Sequence, residues 1–196
     1  MKPVLLFATN NTHKADEIRS VPNLPFRILT LQEAGIHIDI PEPHPTLEAN
    51  ATEKSTTIYR LTGNDCFSED TGLEVKALQG EPGVKSARYA GEGRKSSDNI
   101  HLLLSRLNGQ TDRSARFRTV ISLLLQGKEY QFEGICTGTI LFEPTGSGGF
   151  GYDPVFVPDG ATNSFAEMNT GEKNKYSHRK KALDKLLQFL TAQISK

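Results

Sequence analysis

Phe67 to Val75 reads FSEDTGLEV, an apolar entry, two adjacent acids, a Thr-Gly step and an apolar exit. The pattern predicts a turn, with Glu69 and Asp70 where one strand ends and another begins, and the glycine that follows supplying conformations that other residues avoid. Two carboxylates, Glu69 and Asp70, then stand together at a strand end. Such a pair suits a divalent cation or the capture of a proton from water. A polar turn with solvated acids accounts for the same residues, so the segments on either side have to decide.

On the N-terminal side, Val4 to Ala8 is a continuous apolar run expected to be a buried strand. It leads into Thr9-Asn10-Asn11-Thr12-His13-Lys14 and then a helix over Ala15 to Arg19. A strand–loop–helix junction of this kind aims backbone N–H groups at an anion, and Lys14 adds a positive charge. The Gly-x-x-x-x-Gly-Lys-Ser/Thr loop is absent, and a capped junction with no ligand would look alike. Phe26 to Leu31 is a second strand. Pro41-Glu42-Pro43-His44-Pro45 is a stiff loop. Thr46 caps a helix running to about Leu61, with Leu47, Ala51, Ile58 and Leu61 on one stripe and Asn50 and Lys54 flanking it.

On the C-terminal side, a Gly/Pro-rich loop spans Leu78 to Gly93 and a helix lies near Ser97 to Leu107. Phe117 to Leu125 and Tyr130 to Ile140 are two long strands joined at Gln126-Gly127-Lys128. Gly146-Ser147-Gly148-Gly149-Phe150-Gly151 satisfies the Gly-x-Gly-x-x-Gly spacing, but Tyr152-Asp153-Pro154 and an apolar strand, Val155 to Val157, follow where a helix is required. This leaves a loop presenting Phe150 and Asp153. A nucleobase could cover Phe150, and so could its own loop. Lys173, His178 and Arg179 open a last helix in EKNKYSHRKKAL, where basic groups oppose the helix dipole and suggest a nearby anion or polar ligand. A solvated basic face is the competing account.

The composition narrows the function class. The chain has 196 residues, of which 36% are hydrophobic, enough for a core without a metal or disulfide staple. Lys plus Arg and Asp plus Glu both number 23, so charge offers no support for a nucleic-acid or membrane partner. Cys66 and Cys136 lack Cys-x-x-Cys spacing and are expected to be buried free thiols. The histidines show no zinc spacing. No apolar run reaches signal-peptide or membrane-spanning length, which predicts a cytoplasmic protein.

Taken together and in order, these blocks resemble the Ham1-like inosine triphosphate pyrophosphatase family. The resemblance rests on ATNNTHKADE at Ala8–Glu17, EANA with Lys54 at Glu48–Lys54, SEDTGLEV at Ser68–Val75 and EPGVKSARYAG at Glu81–Gly91. GSGGFGYDPVF at Gly146–Phe156, FAEM at Phe165–Met168 and EKNKYSHRKKAL at Glu172–Leu183 complete it. It implies an α/β fold with an elongated, mixed, twisted sheet flanked by helices, and a nucleotide cleft between two lobes of one domain, 1–196. It implies Mg²⁺-dependent hydrolysis of ITP, dITP and XTP to monophosphate and pyrophosphate, usually by a homodimer. By position, Thr9, Asn10, Asn11, Thr12, His13 and Lys14 would wrap the triphosphate with Lys54. Asp70 would be general base and metal ligand, Glu42 the second metal carboxylate, and Thr71 a substrate contact. Phe150, Gly151, Tyr152 and Asp153 would hold base and sugar, with Lys173, His178 and Arg179 completing base recognition. The family often has two aspartates where this chain has Glu69-Asp70, a frequent serine at Thr71, and a small residue at His13. Two other readings stay open: a Maf-like pyrophosphatase for modified or pyrimidine nucleotides, and a nucleotide sensor without turnover.

Overall fold

The computed structural model describes residues 3–194. Among these, seven strands form one mixed sheet in the order β2-β1-β3-β5-β6-β7, with β4 paired to β3. The strands are β1 (Val4–Phe7), β2 (Arg27–Thr30), β3 (Cys66–Val75), β4 (Pro82–Gly83), β5 (Ser114–Leu125), β6 (Lys128–Ile140) and β7 (Phe156–Pro158). The helices are α1 (Thr12–Arg19), α2 (Leu47–Thr62), α3 (Ser96–Arg106), α4 (Thr170–Tyr176) and α5 (His178–Ile194). β1 runs parallel to β2 and β3, whereas β4 against β3 and β7 against β6 are antiparallel. The α/β class with a mixed sheet is the expected one. No helix among the described residues is long and apolar enough to cross a membrane.

The chain divides into two compact units. One comprises Met1–Asp70, Thr119–Gly134 and Arg179–Lys196; the other comprises Thr71–Arg118 and Ile135–His178. β3, β5 and β6 each contribute residues to both. The first unit has a core of Leu5, Phe7, Ile18, Ile28, Phe67, Ile121 and Leu183, with Phe7 and Phe67 stacked at 4.4 Å. A second cluster in that unit, including Leu6, Ile58, Cys66 and Leu124, packs under α2. The other unit is built on Leu73, Val75, Leu103, Phe117, Val155, Phe156 and Phe165.

Local chemistry explains most of the element ends. Thr46 caps α2 by accepting from the Ala49 N–H at 3.2 Å, and Gly63 ends it in the left-handed region with φ 66°. Gln126 and Gly127 join β5 to β6 with φ values of 51° and 79°, the pair of positive values that a tight hairpin needs. Both cysteines are buried and free, and burial pushes the Cys66 thiol up to about 12.

The central expectation fails in an instructive way. FSEDTGLEV is not a turn between strands: Cys66–Val75 is a single ten-residue strand. Gly72 is there because a Cβ at that position would lie 2.6 Å from the Gly83 carbonyl oxygen of β4, so the requirement is close approach of two backbones. The last basic segment also differs from one helix. α4 carries Lys173 and is opened by a capping box between Asn169 and Glu172, Ser177 leaves the helical region with ψ 124°, and α5 starts afresh at His178.

Candidate active site

Alternation along β3 sends Cys66, Ser68 and Asp70 to one face and Phe67 and Glu69 to the other. On the first face, α2 is hooked to the strand by two side chains. Ser68 Oγ donates to the Ala51 carbonyl at 2.5 Å, and Cys66 Sγ donates to the Ser55 carbonyl at 3.3 Å. The register so fixed brings Lys54 to Asp70. The Lys54 ammonium donates to Asp70 Oδ1 at 2.8 Å and to Glu42 Oε1 at 2.6 Å, which joins helix, strand and proline loop at one nitrogen. Asn50, one turn earlier and fully buried, accepts from the His44 N–H at 2.9 Å and donates to the His44 carbonyl at 3.1 Å. It thereby clamps the loop that carries Glu42, and its amide nitrogen also stands 3.5 Å from Asp70 Oδ2.

The charges of this cluster pull in different directions. Burial lifts the Asp70 carboxyl above its ordinary range against the opposing pull of Lys54 and Lys14, and the negative charge of Glu42 lifts it further. Burial also acts on Glu42, but Lys54 overcomes it and brings that carboxyl down to about 2. Burial would strip the proton from Lys54, yet Asp70 and Glu42 together raise it above its ordinary value, so the ammonium stays charged. One carboxylate is thus fully ionised beside another that holds its proton more readily, an arrangement suited to proton capture from water.

On the opposite face Glu69 is completely buried. Its Oε1 lies 3.1 Å from the Lys14 ammonium, and its Oε2 accepts from Arg179 Nε at 2.8 Å. Arg179 also pairs with Glu17 of α1. Burial would raise the Glu69 carboxyl, but Arg179 first and Lys14 second hold it at about 2. Adjacent in sequence, Glu69 and Asp70 are therefore not a shared-metal pair: a strand's period of two separates them.

The rest of the expected cradle is organised around α1. Asn11 is its N-cap, the side-chain oxygen accepting from the Lys14 N–H at 3.2 Å, so Thr12, His13 and Lys14 form the first turn. Thr9 Oγ1 accepts from the Asn11 N–H at 3.1 Å. Asn10 spends its amide on the Ile38 carbonyl at 2.9 Å and acts as a brace. Thr71 follows Asp70 on β3 and is half-buried.

In the second unit, the glycine loop folds back on Asp153, which accepts from the Phe150 N–H at 2.8 Å and from the Lys173 ammonium at 2.5 Å. A Cβ on residue 149 would lie 2.2 Å from Asp153 Oδ2, so this closure depends on Gly149, whose φ is 70°. The Lys173 ammonium also sits over the rings of Phe150 at 5.3 Å and Phe165 at 5.1 Å. Half-buried Phe150 is therefore backed by a cation. Gly151 takes φ 63° in the same loop.

Three expected substrate contacts have other duties in the structure. Tyr152 is buried, and its hydroxyl donates to the Ser86 carbonyl at 2.9 Å. The buried His178 ring stacks on Phe117 at 4.7 Å. Arg179 directs two guanidinium nitrogens to the Glu69 and Glu17 carboxylates. Side chains that look like donors in a helix-start motif are here partly committed to packing and ion pairing. Glu17 and the clamp role of Asn50 were not foreseen. The i, i+4 spacing of Asn50 and Lys54 was the available signal.

Among the described residues no group of three or more His, Cys, Asp or Glu side chains could hold a metal ion. The carboxylates of Glu42 and Asp70, which meet at the Lys54 ammonium, are ligands of the type that hold a hard divalent cation together with substrate phosphates.

The Ham1 family model matches residues 5–189. The chain is 47% identical over 188 residues to the dITP/XTP pyrophosphatase of Flavobacterium johnsoniae, covering 96% of this chain and 98% of that one. It is 49% identical to the dITP/XTP pyrophosphatase of Porphyromonas gingivalis, over 95% of this chain and 96% of that one. The solved structure of the Staphylococcus aureus Ham1 protein superposes with a TM-score of 0.87 at 34% identity, covering 97% of this chain and 99% of that one. With seven motifs in order, a matching sheet and near-complete coverage, this chain belongs to the Ham1 family.

Proposed function

We propose that residues 1–196 work as a single two-lobed nucleoside triphosphate pyrophosphatase domain. It hydrolyses ITP, dITP and XTP to the monophosphate and pyrophosphate and so removes them before incorporation into DNA or RNA. The observation that carries this reading is the Glu42–Lys54–Asp70 cluster, joined to relatives named dITP/XTP pyrophosphatases at 47% and 49% identity.

Asp70 takes the proton of the attacking water, a role to which its raised proton affinity is suited. Lys54 keeps the Asp70 carboxylate oriented, and with Lys14 it offsets phosphate charge during displacement at the α-phosphorus. The N-terminal turn of α1, with Thr9 to Lys14, receives the triphosphate. Mg²⁺, held by Glu42 and Asp70, would supply further charge neutralisation at the phosphates. Phe150 offers its ring to the base, and Gly151, Tyr152 and Asp153 shape the loop around base and sugar. Lys173, His178 and Arg179 supply the donor side. A 6-oxo purine presents an acceptor there, whereas adenine presents a donor that leaves the site's own donors unpaired, and such sites discriminate strongly. The working form is a homodimer.

The test is pyrophosphate release from ITP, XTP, dGTP, dATP and a pyrimidine triphosphate with Mg²⁺. Release from ITP and XTP far above dATP is expected. No release from either would overturn the assignment, and turnover confined to the pyrimidine substrate would move it to the Maf-like class.

A further inference from the structure

Glu69 has a fully buried carboxylate, makes no contact within the Glu42–Lys54–Asp70 hydrogen bonds, and faces two cations, Arg179 and Lys14, the second of which also acts on Asp70 from a distance. Its two oxygens are divided between them: Oε1 faces Lys14 in the first turn of α1, and Oε2 faces Arg179 in the first turn of α5. Arg179 is fixed from the other side by Glu17, so Glu69 is itself anchored to a rigid planar fork.

A carboxylate beside a phosphate-binding lysine is at first sight counterproductive, because it cancels part of the attraction for an anionic ligand. What it supplies is geometry. A free lysine stem has rotamer entropy to lose when it clamps a ligand. A lysine already tethered at its tip loses less on binding. With three donors on the ammonium, one can remain on Glu69 while others face a phosphate. The Lys14 side chain keeps 16% of its surface exposed and so is held without being sealed off.

We propose that Glu69 is a positioning residue whose single carboxylate fixes Lys14 at the triphosphate cradle and Arg179 at the start of α5, and that it takes no part in holding the metal ion. This rests on the pyrophosphatase reading for its substrate, and the experiment separates the two.

Glu69→Asp keeps the charge but shortens the arm, so one carboxylate can no longer serve both cations at their present places. Glu69→Gln removes the charge at constant size. Calorimetric titration of metal-free protein with inorganic tripolyphosphate reads the cradle without base, metal or turnover. An affinity loss of about tenfold is expected in Glu69→Asp, the scale of one weakened charge-assisted contact. With ITP, kcat/KM should fall by a similar factor through KM, while the Mg²⁺ concentration for half-maximal rate stays within about twofold of wild type. Lys14→Met and Glu69→Asp combined should bind tripolyphosphate no more weakly than Lys14→Met alone, because one acts through the other. Unchanged tripolyphosphate affinity in Glu69→Asp, additive losses in the double variant, or a large shift in Mg²⁺ requirement would each overturn the proposal. If Glu69→Gln fails to fold, Glu69→Asp decides. A wild-type protein that binds tripolyphosphate but releases no pyrophosphate from ITP or XTP would instead overturn the functional reading alone.

Discussion

Asp70→Asn exchanges one carboxylate oxygen for an amide nitrogen at nearly constant volume, and its effects on rate and on stability should have opposite signs. The amide cannot accept the proton of the attacking water, and loss of a positioned general base costs about 10²- to 10⁴-fold in kcat, roughly 2.7–5.5 kcal/mol of barrier. Stability moves the other way. Burial, with Glu42 beside it, raises the Asp70 carboxyl above its ordinary value in the folded state. The folded protein therefore holds that proton more tightly than the unfolded chain does, and the associated stability is present at acid pH and lost as pH rises through the folded value. At neutral pH the ionised carboxylate weakens the fold, and asparagine removes that weakness. The amide oxygen still accepts from Lys54, which also keeps Glu42 at 2.6 Å. Relief of this kind should appear as a higher Tm for Asp70→Asn than for wild type at pH 7. Calorimetric melting of both proteins at pH 7, beside ITP turnover with Mg²⁺, reads both signs. A Tm that falls along with turnover would make Asp70 a structural ion-pair partner, and turnover within threefold of wild type would remove it from catalysis.

Three further outcomes follow from particular contacts. Gly72→Ala places a Cβ 2.6 Å from the Gly83 carbonyl, between two backbones with little freedom to part. It should cost about 1–3 kcal/mol, read as a lower urea midpoint at unchanged slope. Gly149→Ala drives a Cβ against Asp153 at a positive φ, so the loop presenting Phe150 should open and KM for ITP should rise about tenfold with kcat largely kept. Glu69 sits at about 2 against an ordinary 4.5, so its charge is worth roughly 3 kcal/mol at neutral pH. Because the folded value is the lower one, that contribution is present above 4.5 and declines as pH falls towards 2. The stability gap between wild type and Glu69→Gln in urea should therefore shrink by about half between pH 7 and pH 3, and a gap independent of pH would contradict it.

The legible parts of the fold were those whose causes are local. Thr46, the α2 positions Leu47, Ala51 and Ile58, the β1 run from Leu5 to Phe7 and the hairpin at Gln126-Gly127 each act within a few residues and stand where periodicity and capping put them, whereas Leu61 and Val4, expected in the same buried runs, are exposed at the ends of their elements. The acidic segment is ambiguous locally because Asp, Thr and Gly are also turn formers. The reason for Gly72 lies eleven residues away at Gly83, and no local pattern encodes that approach. Once β3 is continuous, alternation by itself separates Glu69 from Asp70, whereas a turn keeps them together. In the candidate site, residue types could be read from the chain, but partnerships could not. Lys54 meets Glu42 and Asp70 through the Ser68–Ala51 and Cys66–Ser55 hooks, and Arg179 meets Glu69 across 110 positions. Donors can be counted by type in the sequence, but it does not show that Tyr152, His178 and Arg179 also pack or pair within the fold.

The order in which the chain is divided has a consequence for synthesis. The first unit draws its final segment from Arg179–Lys196, after every residue of the second unit. A ribosome therefore delivers Glu69 long before its guanidinium partner, and a carboxylate destined for complete burial must wait in a hydrated, unclosed state until Arg179 has emerged, behind the whole second unit. Closure of the first core is in this sense a checkpoint on completeness. A product that stops short of Arg179 lacks both the apolar face of α5 and the charge that makes the interior of β3 tolerable. Such a fragment would remain open to proteolysis, so a segment made after the second unit certifies the first.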